Sequence, residues 1–289
     1  MKRYLLCLCL LTIFALSGCS PLPVSDEKIP ITQEKQLIFD ERRYTYTGNE
    51  HDIAIEDDRL IIQEEGTYRL SGNLKEGSIC IRVAPNECDR LILSGISIQS
   101  SYHSPLDIES AACVTLILEN DCVNTIGDTP RKIESEADFL PISCVRAYSD
   151  LILQGTGTLV ISGRSACAIA CSENLLIESG QITLSAAETA IWVRDQFSFK
   201  DGSLTVTAAQ YGVTVSEGDS AFGTLEILGG RISMVCSEIA LSAGKSILIS
   251  AGNGSLQAPL VYRCERNQNG DVHRGIIQIE SSGFPIPSS

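Results

Sequence analysis

Hydrophobic and polar positions alternate through most of the chain with a period of two, in short runs broken by glycine. The alternation is clearest between Leu151 and Ser250, where LILQGTGTLVISG, LLIESGQITLSAA, FSFKDGSLTVTAA and LEILGGRISMVCS repeat one phrase. Each copy reads as an apolar strand, a glycine turn and a second strand of alternating Ile, Leu, Val and Thr. The glycines Gly157, Gly180, Gly202 and Gly230 stand 23, 22 and 28 residues apart. A repeat of that length without helical period predicts an all-β, single-stranded β-solenoid with ~22–28 residues per turn. Such a fold has no pocket by default, so activity is expected on its long outer faces.

Stacking the repeats gives columns. Val145, Ile169, Ile191, Val213 and Leu241 share one column, and period two sends them inward. The following residues, Arg146, Ala170, Trp192, Thr214 and Ser242, are expected to point outward; extension through Val83 and Ile108 adds Arg82 and Asp107. Three residues on, Glu173, Asp195 and Glu217 align on successive turns. Residues 123–141 break the pattern with charge and two prolines, which predicts an extruded loop. From Ile142 to Ala258 there is no proline, as continuous parallel coils require, because each strand donates to its neighbours.

The ends speak a different language. Lys2 and Arg3, an apolar run from Tyr4 to Leu16 and then Leu16-Ser17-Gly18-Cys19 make an export signal too short to span a bilayer. The last four residues resemble a bacterial lipobox. That resemblance implies a lipoprotein signal peptide over 1–18, lipidation at Cys19 and an exported protein anchored at the cell surface. Residues 19–35 read as a Pro-rich tether, 36–262 as the β-helix domain, and 263–289 as a C-terminal strand and cap over the open end of the stack.

Charge and cysteine content narrow the partners. Removing residues 1–18, with two cations and no acid, takes the formal charge from −14 to −16, which argues against nucleic acid. Nine cysteines follow Cys19, so at least one stays free, and no Cys/His metal spacing appears. Aligning Leu91-Ile92-Leu93 with Leu116-Ile117-Leu118 puts Cys88 and Cys113 in one column on adjacent turns. Strand spacing of ~4.8 Å admits either a disulfide there or a packed pair of thiols. Nothing in the sequence asks for more than a monomer.

The run GTYRLSGNLKEGSICIRV…DRLILSGISIQSSYHSPLDIES…CVTLILEN, followed by PISCVRAYSDLILQGTGTLVISG and its successors, resembles the bacterial polysaccharide-lyase-like, carbohydrate-binding β-helix proteins over roughly residues 50–262. The resemblance implies a right-handed parallel β-helix that binds plant or microbial polysaccharide, with calcium in the better-kept members and no demonstrated lyase chemistry. The family's inner corners commonly read Asp-Gly-Ile. Here they read Cys167-Ala168-Ile169, Thr189-Ala190-Ile191, Tyr211-Gly212-Val213 and Ile239-Ala240-Leu241. Calcium wants six to eight oxygen ligands, so that corner column does not supply a site.

Three groups of residues remain as candidates. The Glu173–Asp195–Glu217 ladder repels itself unless a Ca2+ ion, the neighbouring Arg194 or solvent screens it. Trp192, the only tryptophan, offers a sugar-stacking platform with Arg146, Arg194 and Arg82 as polar grips, unless the 123–141 loop or the C-terminal segment covers it. Arg82 and Arg146 are also the only lyase-type bases on that stripe, and the aligned columns put no acid cluster beside either. The acidic ladder lies on a turn rather than in a hydrolase cleft, and His51, His103 and His273 have no nucleophile partner at motif spacing. A non-catalytic, polysaccharide-binding surface lipoprotein is therefore expected, with a structural or adhesive solenoid as the alternative and a lyase or hydrolase behind both.

Overall fold

Alternating apolar positions become buried ladders when the coils stack in register. In the computed structural model, described for residues 34–130, 139–215, 223–268 and 271–285, the chain winds as a parallel β-helix with three strand faces. The first face stacks Arg59–Ile62, Ser78–Arg82, Leu106–Ser110, Ser143–Ala147, Cys167–Cys171, Thr189–Val193, Tyr211–Val215, Ile239–Ala243 and Leu260–Gln268. On the second, Cys113–Leu118, Asp150–Gly155, Asn174–Ile177, Gln196–Phe199, Thr224–Ile227, Ser246–Ile249 and Ile276–Ile279 follow one another. The third runs from Val123–Asp128 through Thr158–Gly163, Gln181–Ala186, Ser203–Ala208 and Arg231–Cys236 to Asn253–Gln257. In the first coils the second and third faces share one long strand, Thr67–Lys75 and then Cys88–Ser100.

The interior follows the sequence columns. Val145, Ile169, Ile191, Val213 and Leu241 pair in order and are fully buried. On the second face Leu116, Leu153, Ile177, Phe199, Ile227 and Ile249 form an equally dry ladder. Each fully buried aliphatic or aromatic side chain contributes about 1.5–3 kcal/mol, so repetition of a weak unit builds a stable rod. The glycine turns work as expected, with one correction. Gly180, Gly202 and Gly230 take positive φ, but in the preceding coil the positive φ belongs to Gly155. Gly157 is needed there for space instead, since a Cβ would collide with the Glu119 carbonyl.

Two boundaries shift. Val123–Asp128 is a strand of the third face, so the interruption begins after it and not at residue 123. At the other end, Leu260–Gln268 pairs parallel with Ile239–Ala243, and Ile276–Ile279 pairs parallel with Ser246–Ile249. The stack thus runs past residue 262 into the segment assigned as a cap. Closure of the end falls to Phe284, whose ring fills the space that Gly254 leaves open. The signal segment, Cys19 and the tether up to residue 33 lie outside the described residues.

Candidate functional site

The outward column of the first face runs Cys80, Asp107, Arg146, Ala170, Trp192, Thr214, Ser242, Arg263. Strand geometry points these side chains away from the interior, as the sequence columns require, yet Cys80, Asp107, Ala170, Thr214 and Ser242 are buried, and Arg146 and Trp192 keep partial access to solvent. Ile81 rather than Val83 pairs with Ile108, however, so Cys80 takes the place opposite Asp107, and a register slip after Ile81 sets Arg82 opposite Ser110. Arg82 is therefore two positions off the predicted stripe.

The second correction concerns acids. Arg146 donates from Nε and Nη2 to the two oxygens of Asp107 at 2.9 and 2.7 Å, a bidentate pair. Asp107 is 1% exposed and also faces Arg59 Nη1 at 3.5 Å. Arg59 then reaches Glu109 at 2.6 Å, and Arg82 holds Glu109 at 2.9 Å and Glu56 at 2.8 Å. An acid cluster does lie beside Arg82 and Arg146. The alignment hid it because Glu109 and Glu56 come from neighbouring positions and coils, and not from the same column. Burial pushes the Glu109 carboxyl up, but hydrogen bonds from Arg59 and Arg82 outweigh it and hold the group below its usual range.

Trp192 is half-buried. Phe139, four residues before the Ser143–Ala147 strand, sets its ring edge-on to the indole with centroids 5.7 Å apart and planes at 78°. Phe139 itself is 60% exposed, and the Arg194 guanidinium lies 5.8 Å from its ring centroid. Both sequence alternatives are partly realised: Phe139 does pack on Trp192, yet its ring extends the aromatic surface toward solvent. On the next coil Thr214 is 2% exposed, and its Oγ1 has no hydrogen-bond partner among the described residues.

The acidic ladder is spoken for. Arg194 donates to Glu173 at 2.8 Å and to Asp195 at 2.8 Å, so one guanidinium bridges both carboxylates. A fixed cation between them opposes calcium, and among the described residues no group of three or more His, Cys, Asp or Glu could hold a metal. The pair does not fit the calcium the family likeness implies. Glu217 lies outside the described residues.

Cys88 and Cys113 are directly opposite in the ladder and are joined as a disulfide, with Cα atoms 4.7 Å apart. Next to Cys88, the sequence reading missed a buried acid. Asp89 occupies the inward column that continues as Val114, Leu151, Leu175 and Phe197, and it is fully buried. Its Oδ1 accepts the Gly66 N–H at 2.8 Å, while Oδ2 has no partner among the described residues. Burial pushes its pKa up to about 7, with the Gly66 hydrogen bond and Lys35 pulling the other way.

Comparison with known proteins adds the family. A model of carbohydrate-binding domain-containing proteins matches residues 56–282. The chain belongs to that family. A carbohydrate-binding domain-containing protein of Acetivibrio thermocellus is 26% identical over 192 residues, covering 64% of this chain. The chain spans 65% of the length of that relative. The solved polysaccharide lyase-like protein from C. thermocellum, a gadolinium derivative, superposes with a TM-score of 0.70 at 20% identity, over 85% of this chain and all of that one. At that identity the likeness speaks for the parallel β-helix alone, and within the family the residues that could meet a ligand must be argued from their own geometry.

Proposed function

We propose that this family member binds polysaccharide, without cleaving it, on the outer surface of its first strand face, at the aromatic pair Phe139 and Trp192 flanked by Arg194. The observation that carries the reading is the edge-on pair with its arginine, in a chain whose family match covers residues 56–282. A sugar ring presents an apolar C–H face to an aromatic and hydroxyls to a donor, and an exposed Phe beside an indole and a guanidinium offers both. Arg146 and Arg82 support the surface at one remove, because their guanidinium groups are already committed to Asp107, Glu109 and Glu56.

The non-catalytic part rests on chemistry. A hydrolase acid must hold a proton near neutrality, yet Glu109 is kept ionised by two arginines and Asp107 is out of solvent. A lyase base must give up its proton, and Arg82 and Arg146 are locked to carboxylates that favour the charged form. The lipobox-like Leu16-Ser17-Gly18-Cys19 supports a membrane-anchored, cell-surface location, with the binding face held out from the lipid as a monomer.

Affinity electrophoresis in gels cast with soluble pectin, xylan or a soluble cellulose derivative tests the reading. Wild type is retarded on at least one glycan, and Trp192→Ala and Phe139→Ala each lose about ten-fold in affinity, ~1.4 kcal/mol. Absence of retardation on every glycan removes the reading and leaves the structural or adhesive solenoid. A rise in unsaturated-uronate absorbance would restore the lyase.

A further inference from the structure

A second concave surface lies away from the aromatic pair, where the third face turns into the first in the N-terminal coils. It is a cleft of about 260 Å³ lined by Tyr44, Tyr102, Arg42, Arg43, Asp58 and Glu76, among others. Tyr102 is 81% exposed and Tyr44 39%, an unusual expenditure of aromatic surface on solvent. Tyr44 is steadied from below by the buried Phe39, with ring centroids 6.4 Å apart. Arg42 and Arg43, like Arg90, Arg164 and Arg231 and unlike the arginines of the first-face network, have no ion pair among the described residues, so their donors are open to a ligand.

Backbone conformation marks the same place. Glu41, Asp57, Asp58 and Glu76 all take positive φ, four of the five non-glycine residues that do so among the described ones. Glu41 and the Asp57-Asp58 pair take it in the two-residue hairpin turns that close Asp40–Arg43 and Glu56–Arg59, which bring these acids to the rim of the cleft. Asp58 and Glu76 line the cleft with the guanidinium groups of Arg42 and Arg43 and the aromatic rings, and Glu41 and Asp57 stand next to them in the chain, so four acids surround two arginines.

We propose that this cleft is a second carbohydrate subsite, which takes a single neutral pyranose ring at the N-terminal end of the β-helix. The inference rests on the carbohydrate-binding reading above. Tyrosine faces take the apolar C–H side of the ring, Arg42 and Arg43 donate to its oxygens, and Asp58 and Glu76 accept from its hydroxyls. The excess of acids around the cleft, on a chain that is itself strongly acidic, favours an uncharged sugar over a uronate. The strands of the cleft and of Trp192 are separated by four spacings of ~4.8 Å, roughly 19 Å along the stack, so one glycan could engage both sites and gain from linkage.

Saturation-transfer NMR on the full chain tests it, using cellohexaose, xylohexaose, mannohexaose and hexagalacturonate as probes. Tyr102→Ala and the double variant Arg42→Ala/Arg43→Ala change exposed side chains and leave the core untouched. The expected result is transfer to a neutral hexasaccharide in wild type, with at least a ten-fold rise in Kd in both cleft variants. Trp192→Ala should keep transfer to a terminal ring. Wild-type affinity in both cleft variants overturns the subsite while leaving the first reading intact, and a preference for hexagalacturonate overturns its neutral specificity. Loss in the cleft variants alone, with Trp192→Ala and Phe139→Ala unaffected, would keep the cleft and displace the site at Trp192. No transfer from any probe in wild type removes both.

Discussion

Asp89 offers the sharpest test of how the interior is built. It is a carboxyl inside an apolar column, fully buried, with one oxygen on the Gly66 N–H and the other without a partner. In the unfolded chain it titrates near 3.8, whereas burial raises it to about 7 in the fold, Glu65 and Glu87 adding to the rise. The folded form therefore keeps a proton between roughly pH 4 and 7 that the unfolded chain has lost. That contribution to stability is complete below about pH 3.8 and disappears as pH rises through about 7. Three pK units at ~1.36 kcal/mol each put it at about 4 kcal/mol. Asp89→Asn keeps the shape and the acceptor for Gly66 while removing the ionisation. Urea unfolding at pH 5 and pH 8 should show wild type losing a few kcal/mol more than the variant over that interval, with the variant the more stable at pH 8. Glu109 and Glu119, held below the usual range by their partners, lose their contributions only below pH 4.5, and Glu173, pushed up by burial, is common to both proteins and cancels in the comparison. Equal pH dependence in the two proteins would refute the argument.

Two further outcomes follow from the same structure. Arg146→Ala leaves the 1%-exposed Asp107 carboxylate with only its 3.5 Å contact to Arg59 and should cost about 3 kcal/mol in chemical unfolding, against a much smaller loss for Arg194→Ala, whose partners are more open. Reducing or substituting Cys88 opens a loop closed across 25 residues, worth about 3–4 kcal/mol of chain entropy. The native mass measured without reduction should accordingly be two hydrogens below that of the fully reduced chain.

How far the sequence reaches depends on what enforces each feature. Stacking columns were legible because burial and period two act on every coil alike, so Val145, Ile169, Ile191 and Val213 line up with no knowledge of the whole. Cys88 and Cys113 were legible for the same reason. Arg82 was misplaced because Ile79, Ile81 and Val83 repeat with period two, so matching Val83 instead of Ile81 to Ile108 shifts the register by two residues and leaves the hydrophobic pattern unchanged. The guanidinium network was hidden because ion pairs form between long side chains from different columns, which alignment by column cannot bring together. Phe139 belongs to an insertion without period, so nothing local announces that its ring returns to Trp192. Asp89 was visible in principle: counting in twos from Leu91 and Leu93 puts an acid on the inward side.

The central claim is that the aromatic surface at Trp192 and Phe139 holds a polysaccharide. Gel retardation of wild type and of Trp192→Ala/Phe139→Ala on the same soluble glycans measures it directly. The account predicts clear retardation of wild type on at least one glycan and its loss in the double variant, which still unfolds in urea as a cooperative folded protein. Equal retardation of the two proteins would contradict the placement of the site, and no retardation of either would contradict the claim itself.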